Sequence, residues 1–286
     1  MVERTIQAID GTTLHTRVWS ASAPRARVVI VHGFGEHAGR YADIATFLAD
    51  SGVSVIAYDQ RGHGRSGGRR GHIRRWTEYR ADLRSVLEVA TDGEPIPLFL
   101  YGHSLGGTVV LEYTAAGLDA PRGDFAFPRG DFAFPRAVIA SAPALGTPGI
   151  SPLLLTISRA LSAVWPGLSL DTKLDATAIS RDRAIIDGYR ADPLVHSIGS
   201  TRLGTELSAA QNAVFAAAPV FPVPLLLTYG SADRLAPREP IERLARAAGC
   251  QDKNLRVFDG AYHELHNDII RDEVYALYRD WILDRV

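Results

Sequence analysis

The strongest constraint on the fold lies between Pro97 and Ala116, where the apolar run PLFLY leads at once into Gly102-His103-Ser104-Leu105-Gly106, with TVVLEYTAA close behind. A chain that passes from strand to helix this abruptly needs glycines where side chains would collide, and the turn lifts its apex residue above the sheet. Here the apex is Ser104. The pattern predicts a strand over 97–101, a helix over 105–116, and a serine hydroxyl beside the backbone N–H groups of a helix start, where negative charge is stabilised.

Short apolar runs recur at 27–31, 53–58, 137–141, 224–229 and 254–258. Because their apolar residues are consecutive rather than alternating, they suit strands buried on both faces. Helical patterns fit 41–51, 83–91 and 269–282, and a hairpin turning at Asp10-Gly11 fits 6–19. This order predicts an α/β fold, a mostly parallel central sheet flanked by helices, with functional loops leaving the carboxyl ends of the strands. Between Ser141 and Pro224 the sheet pattern lapses. Leu153, Leu154, Leu155, Ile157, Leu161, Val164 and Trp165 are followed there by a more polar stretch through Arg181, Asp182 and Tyr189. A segment this short, whose ends return to one sheet, is expected to be an inserted helical cap over 145–220, the core comprising 1–144 and 221–286. RGDFAFP occurs twice in tandem, at 122–128 and 129–135, and reads as a loop lengthened by duplication or as an aromatic flap.

A formal charge of −1 with 22% charged residues lacks the basic field of a nucleic-acid binder. The single cysteine, Cys250, excludes an internal disulfide and a Cys-rich metal site. No metal or cofactor is called for. With neither a secretory leader pattern nor an apolar stretch approaching the roughly 20 residues of a membrane span, the chain is expected to be soluble and cytoplasmic, with transient contact at a membrane surface. DQRGHGRSGGRRG, at 59–71, matches neither GxxxxGK[ST] nor GxGxxG. Asp59 and Arg61 are therefore read as locking their loop, with His63 or Arg65 shaping the site.

An elbow serine needs a base. Asp233 follows the PLLLTYG strand and His263 lies in DGAYHELH after the NLRVF strand, giving the chain order Ser, Asp, His. His263 is expected to take the Ser104 proton while Asp233 orients the imidazole and stabilises its charged form. His266 competes in the same loop and is read as a supporting residue. Backbone N–H groups of Leu105 and Phe34 are expected to form an oxyanion hole, because the His32-Gly33-Phe34-Gly35 turn leaves the first buried strand near the elbow. Glu36, His37, Arg40 and Tyr41 are expected to fix that turn. Leu153, Leu154, Ile157, Leu161 and Trp165 are candidates to line an apolar cavity, with ordinary cap packing as the competing explanation.

HGFGEHAGRY (32–41), DQRGHGRSGG (59–68), GHSLGG (102–107), YGSADRLAP (229–237) and DGAYHELHND (259–268) together resemble the monoacylglycerol lipase and lysophospholipase branch of the α/β-hydrolases, related to the serine-aminopeptidase-like group. The likeness spans almost the whole chain, SRD (180–182) and ADPL (191–194) included. It implies Ser104 as nucleophile, Asp233 and His263 as its partners, the Phe34 and Leu105 amides as oxyanion donors, and a mobile cap enclosing an acyl tunnel. The implied substrate is a monoacylglycerol or another small lipid ester. A broader carboxylesterase or lysophospholipase, a peptidase and a noncatalytic lipid-binding protein are the alternatives. Phe34 and Asp268 depart from the family pattern, which bears on substrate shape more than on chemistry.

Overall fold

In the computed structural model the described residues are 1–91, 96–119, 134–146 and 152–286. The apolar runs build an eight-stranded sheet. Strands β1 (Val2–Gln7) and β2 (Thr13–Trp19) form the antiparallel hairpin, closing at Gln7 opposite Thr13. Next come β3 (Ala26–Val31), β4 (Val53–Tyr58), β5 (Leu98–His103) and β6 (Ala137–Ser141). An insertion carries β7 (Ser169–Asp171) and β8 (Ile198–Ser200), and the chain returns through β9 (Leu225–Gly230) and β10 (Lys253–Phe258). The order across the sheet is β1-β2-β4-β3-β5-β6-β9-β10, and every pairing from β4 to β10 is parallel.

Consecutive apolar residues serve opposite faces of this sheet. Val29, Val31, Leu100 and Val138 point into one core layer, while Val28, Ile30, Phe99 and Ile139 point into the other. The first layer is covered by α2 (Thr77–Thr91), α3 (Leu105–Asp119) and α7 (Arg238–Ala247), the second by α1 (Ala42–Asp50) and α8 (Arg271–Leu283). α7 is not among the helical patterns picked out in the sequence, although Ile241 and Leu244 are spaced to share one helical face. Its helical turns bury both against the sheet.

Between β6 and β9 run α4 (Pro152–Val164), α5 (Arg183–Ala191) and α6 (Thr201–Ala217), with β7 and β8 as a small antiparallel ribbon that sequence periodicity did not reveal. Three residues per strand are too few to show alternation. Leu203, Ala210 and Val214 of α6 join the same core cluster as the sheet, so this helix packs onto the existing core. The first RGDFAFP copy and most of the second, through 133, lie outside the described residues. So do the side chains of Leu153, Leu154 and Ile157.

Candidate active site

Ser104 sits between the end of β5 and the first residue of α3 with φ 51°, in the left-handed region that non-glycine residues rarely enter. Its N–H donates to the Ser141 carbonyl at 3.0 Å, and its carbonyl accepts from Thr108 N at 3.2 Å and Ala144 N at 3.0 Å. Flanking glycines permit this. A Cβ on Gly106 would lie 2.0 Å from the Val31 carbonyl oxygen, and one on Gly102 would lie 2.3 Å from that of Gly106. The spacing of the motif therefore reflects backbone running against backbone.

Asp233 and His263 arrive from loops after β9 and β10. His263 Nδ1 donates to Asp233 Oδ2 at 2.8 Å, with both side chains almost fully buried. The other Asp233 oxygen accepts from Leu235 N at 2.7 Å and Ala236 N at 3.0 Å, so one carboxylate both holds its loop and faces the imidazole. Burial alone would raise the Asp233 carboxyl, but His263 and the two N–H donors hold it below its usual value. Burial likewise opposes charge on His263, yet Asp233, helped by Glu264 and Glu36, lifts it above the ordinary histidine value. The ring of His103, next to Ser104, lies 4.6 Å from that of His263. Among the described residues no hydrogen bond joins Ser104 to His263. An imidazole held through Nδ1 in this way presents Nε2 to accept a proton from a hydroxyl turned toward it.

His266 has another environment. Its ring stacks on Tyr41 at 4.4 Å, its Nδ1 lies 3.3 Å from the Tyr101 hydroxyl, and burial pushes it down to about 3. Its Nε2 lies 3.2 Å from Asn267 Nδ2, so both ring nitrogens face neutral polar groups and, among the described residues, no carboxylate.

The turn after β3 passes directly over the elbow: a Cβ on Gly33 would come within 3.3 Å of Ser104 Cβ. Among the described residues the N–H groups of Phe34 and Leu105 meet no acceptor. For Leu105 this follows from its place at the start of α3. Glu36 Oε1 accepts from Gly33 N at 2.6 Å and from the Tyr41 hydroxyl at 2.8 Å, and His37 Nε2 lies 2.7 Å from Asp192 Oδ2, so both residues brace the turn. Asp59 accepts from Ala38 N and Arg65 N at 2.8 Å each, and Arg61 forks onto Asp82 at 2.6 Å through two nitrogens. The loop-locking expected of both is what they do. The buried His63 packs edge-on to the Phe34 ring, centroids 5.9 Å apart.

Sequence reasoning missed what holds the histidine loop. Asp268 accepts from Arg181 Nε at 2.9 Å and Nη2 at 2.6 Å, Ser180 Oγ donates to the Asn267 carbonyl at 2.8 Å, and Glu264 N donates to the Ile179 carbonyl at 2.7 Å. Arg40 forks onto Glu264, Nη1 to Oε1 at 2.6 Å and Nη2 to Oε2 at 2.7 Å. These partners are 87 and 224 residues apart, so no local pattern could join them. Of the cap candidates, Leu161 is half-buried and Trp165 is 63% exposed. Beside the turn after β3 a cavity of about 450 Å³ is lined by Tyr189, Arg190, Asp192 and His196 among others.

Residues 22–270 match the family described as serine aminopeptidase, S33. The chain is 33% identical to the monoacylglycerol lipase of Mycolicibacterium smegmatis over 99% of its own length and 98% of the relative's. It is 34% identical to the monoglyceride lipase of Homo sapiens, covering 96% of this chain and 88% of that one. The crystal structure of Paleococcus ferrophilus monoacylglycerol lipase superposes with a TM-score of 0.84 at 32% identity, covering 96% of this chain and 99% of the other.

Proposed function

This chain belongs to the monoacylglycerol lipase branch of the α/β-hydrolases, within the serine aminopeptidase S33 family, and on that premise we propose that it cleaves monoacylglycerols to glycerol and a fatty acid. It is a serine hydrolase of the lipase and esterase family. The observation that carries the site assignment is the buried 2.8 Å contact between His263 and Asp233, brought by separate loops to the side of the Ser104 elbow. In the proposed reaction Ser104 Oγ attacks the acyl carbonyl as His263 Nε2 takes its proton, and Asp233 stabilises the imidazolium. The Phe34 and Leu105 N–H groups receive the oxyanion. Collapse breaks the ester bond, His263 returns the proton to the departing glycerol oxygen, and water then hydrolyses the acyl-serine by the same steps.

The polar cavity at Tyr189, Asp192 and His196 supports a small hydroxylated leaving group, and the apolar sequence of α4 supports an acyl chain beneath a cap comprising 145–220. Aminopeptidase action has less support. The buried carboxylates around the site are already engaged, Glu36 and Glu264 by Arg40 and Asp268 by Arg181, which leaves none of these to hold a peptide's N-terminal ammonium. No described helix is long and apolar enough to cross a membrane. Val164, Trp165 and Leu170 nevertheless expose apolar surface near Arg69, whose Nη2 donates to the Gly167 carbonyl, and this supports docking on a lipid surface.

Labelling by a fluorophosphonate, with its site mapped, tests the assignment. Adduct on Ser104, absent in Ser104→Ala together with ester turnover, is the expected result. Turnover surviving in a pure Ser104→Ala protein would remove the assignment, whereas a wild-type protein that neither labels nor turns over esters would favour the noncatalytic lipid-binding alternative.

A further inference from the structure

We propose that Arg40 is a positioning residue that ties the oxyanion turn to the histidine loop through Glu36 on one side and Glu264 on the other, holding Phe34 and His263 in fixed relation over Ser104. The proposal rests on the reading of Ser104 and His263 given above. Arg40 Nη1 donates to Glu36 Oε2 at 2.9 Å and to Glu264 Oε1 at 2.6 Å, while Nη2 donates to Glu264 Oε2 at 2.7 Å. All three side chains are at least nine-tenths buried. Each carboxylate is also tied to the segment it serves. Glu36 Oε1 accepts from Gly33 N, the residue before Phe34, and Glu264, directly after His263, accepts from Asn267 Nδ2 at 2.9 Å. The Tyr189 ring lies 4.7 Å from the Arg40 Cζ and covers the bridge from the insertion side.

A planar guanidinium suits this task because its fork satisfies one carboxylate at two points and still reaches the second. Lysine keeps the charge without the fork. With two carboxylates about one cation, the bridge also leaves negative potential near His263. Burial and Glu264 push the Glu36 carboxyl up against the pull of Arg40, while Arg40 overcomes burial to hold Glu264 down. Other groups facing the His263 ring are Asp233, His103 and His266, the two histidines being kept neutral by burial.

The test uses Arg40→Gln, Arg40→Lys and Glu264→Gln in the full chain, assayed with a short p-nitrophenyl ester and a monoacylglycerol across pH, with melting curves to establish folding. Arg40→Gln is expected to lower kcat about 100-fold with KM within about threefold, because small misplacement of the reacting groups acts on the transition state. Arg40→Lys is expected to recover about tenfold of that loss. Glu264→Gln, which removes one negative charge beside His263, is expected to move the acid limb of kcat/KM to lower pH. If Arg40→Gln does not fold, the other two variants carry the test. Folded variants with lowered Tm but wild-type kcat and an unmoved acid limb overturn the proposal. Fluorophosphonate labelling separates the two readings. Failure to label Ser104 in the wild type removes the site assignment, whereas Ser104-specific labelling alongside wild-type kcat in Arg40→Gln removes only the bridge.

Discussion

His263 and His266 stand three residues apart in one loop, yet their surroundings differ, as the base proposed for His263 requires. His263 meets a carboxylate and is lifted above the ordinary value, whereas His266 lies between tyrosines and is pushed to about 3. His263→Ala is expected to lower kcat by about 10⁴-fold or more, by loss of the proton acceptor. His266→Ala should keep kcat within about tenfold and instead cost about 2 kcal/mol of stability, through the cavity left beside Tyr41. Comparison of the two variants by steady-state kinetics and urea unfolding checks both, and the opposite ordering would identify His266 as the base. The pH dependence follows with its sign. General-base action needs neutral His263, so a raised imidazole value places the acid limb of kcat/KM above pH 6.5, with activity lost as pH falls through it. An acid limb below 6.5 would contradict the His263 environment described above.

At the scale of elements, the site depends on backbones that meet without side chains and on ion pairs between distant segments, Arg40 with Glu264 and Arg181 with Asp268. Gly106→Ala would put a Cβ 2.0 Å from the β3 carbonyl of Val31, so α3 or β3 must move, and a loss of about 3 kcal/mol is expected in urea unfolding. Asp268 and Arg181 join the histidine loop to the segment before α5, and Asp268 is fully buried. Arg181→Ala leaves that carboxylate without its charged partner. The variant is expected to lose about 2–3 kcal/mol, with the partial exposure of Arg181 keeping the figure below that of a fully buried pair. Unchanged stability would mean that solvent replaces the guanidinium at no cost.

At the scale of the molecule, the proposed function has the segment between β6 and β9 select the substrate. A compartment for one acyl chain predicts that kcat/KM rises with chain length among monoacylglycerols, each buried methylene contributing about 0.8 kcal/mol where the contact persists in the transition state. A panel of soluble monoacylglycerols, a short diacylglycerol and a lysophospholipid measures this directly. Consistent preference for the diacylglycerol would rule out the single-chain cap, and dominance of the lysophospholipid would favour that activity instead. Trp165→Ser should weaken sedimentation with anionic vesicles while leaving kcat on a short soluble ester near wild type, because the exposed indole stands at the tip of α4.

The sequence alone determined those features whose cause is local or periodic. Apolar runs such as RVVIV declare strands buried on both faces, and the GHSLG elbow declares itself because its glycines are demanded by contacts within a few residues of the turn or with the strand beside it. The order of Ser104, Asp233 and His263 was legible for the same reason, since each follows a recognisable strand. Only the tertiary structure decided the burial and ring contacts that set His266 apart from His263, the Arg40 and Arg181 bridges, and the β7–β8 ribbon. Those features depend on which charges and rings face one another after residues far apart in the chain are packed together. Long-range electrostatics and packing leave no period in the sequence, because their strength depends on burial and distance that exist only once the chain has folded.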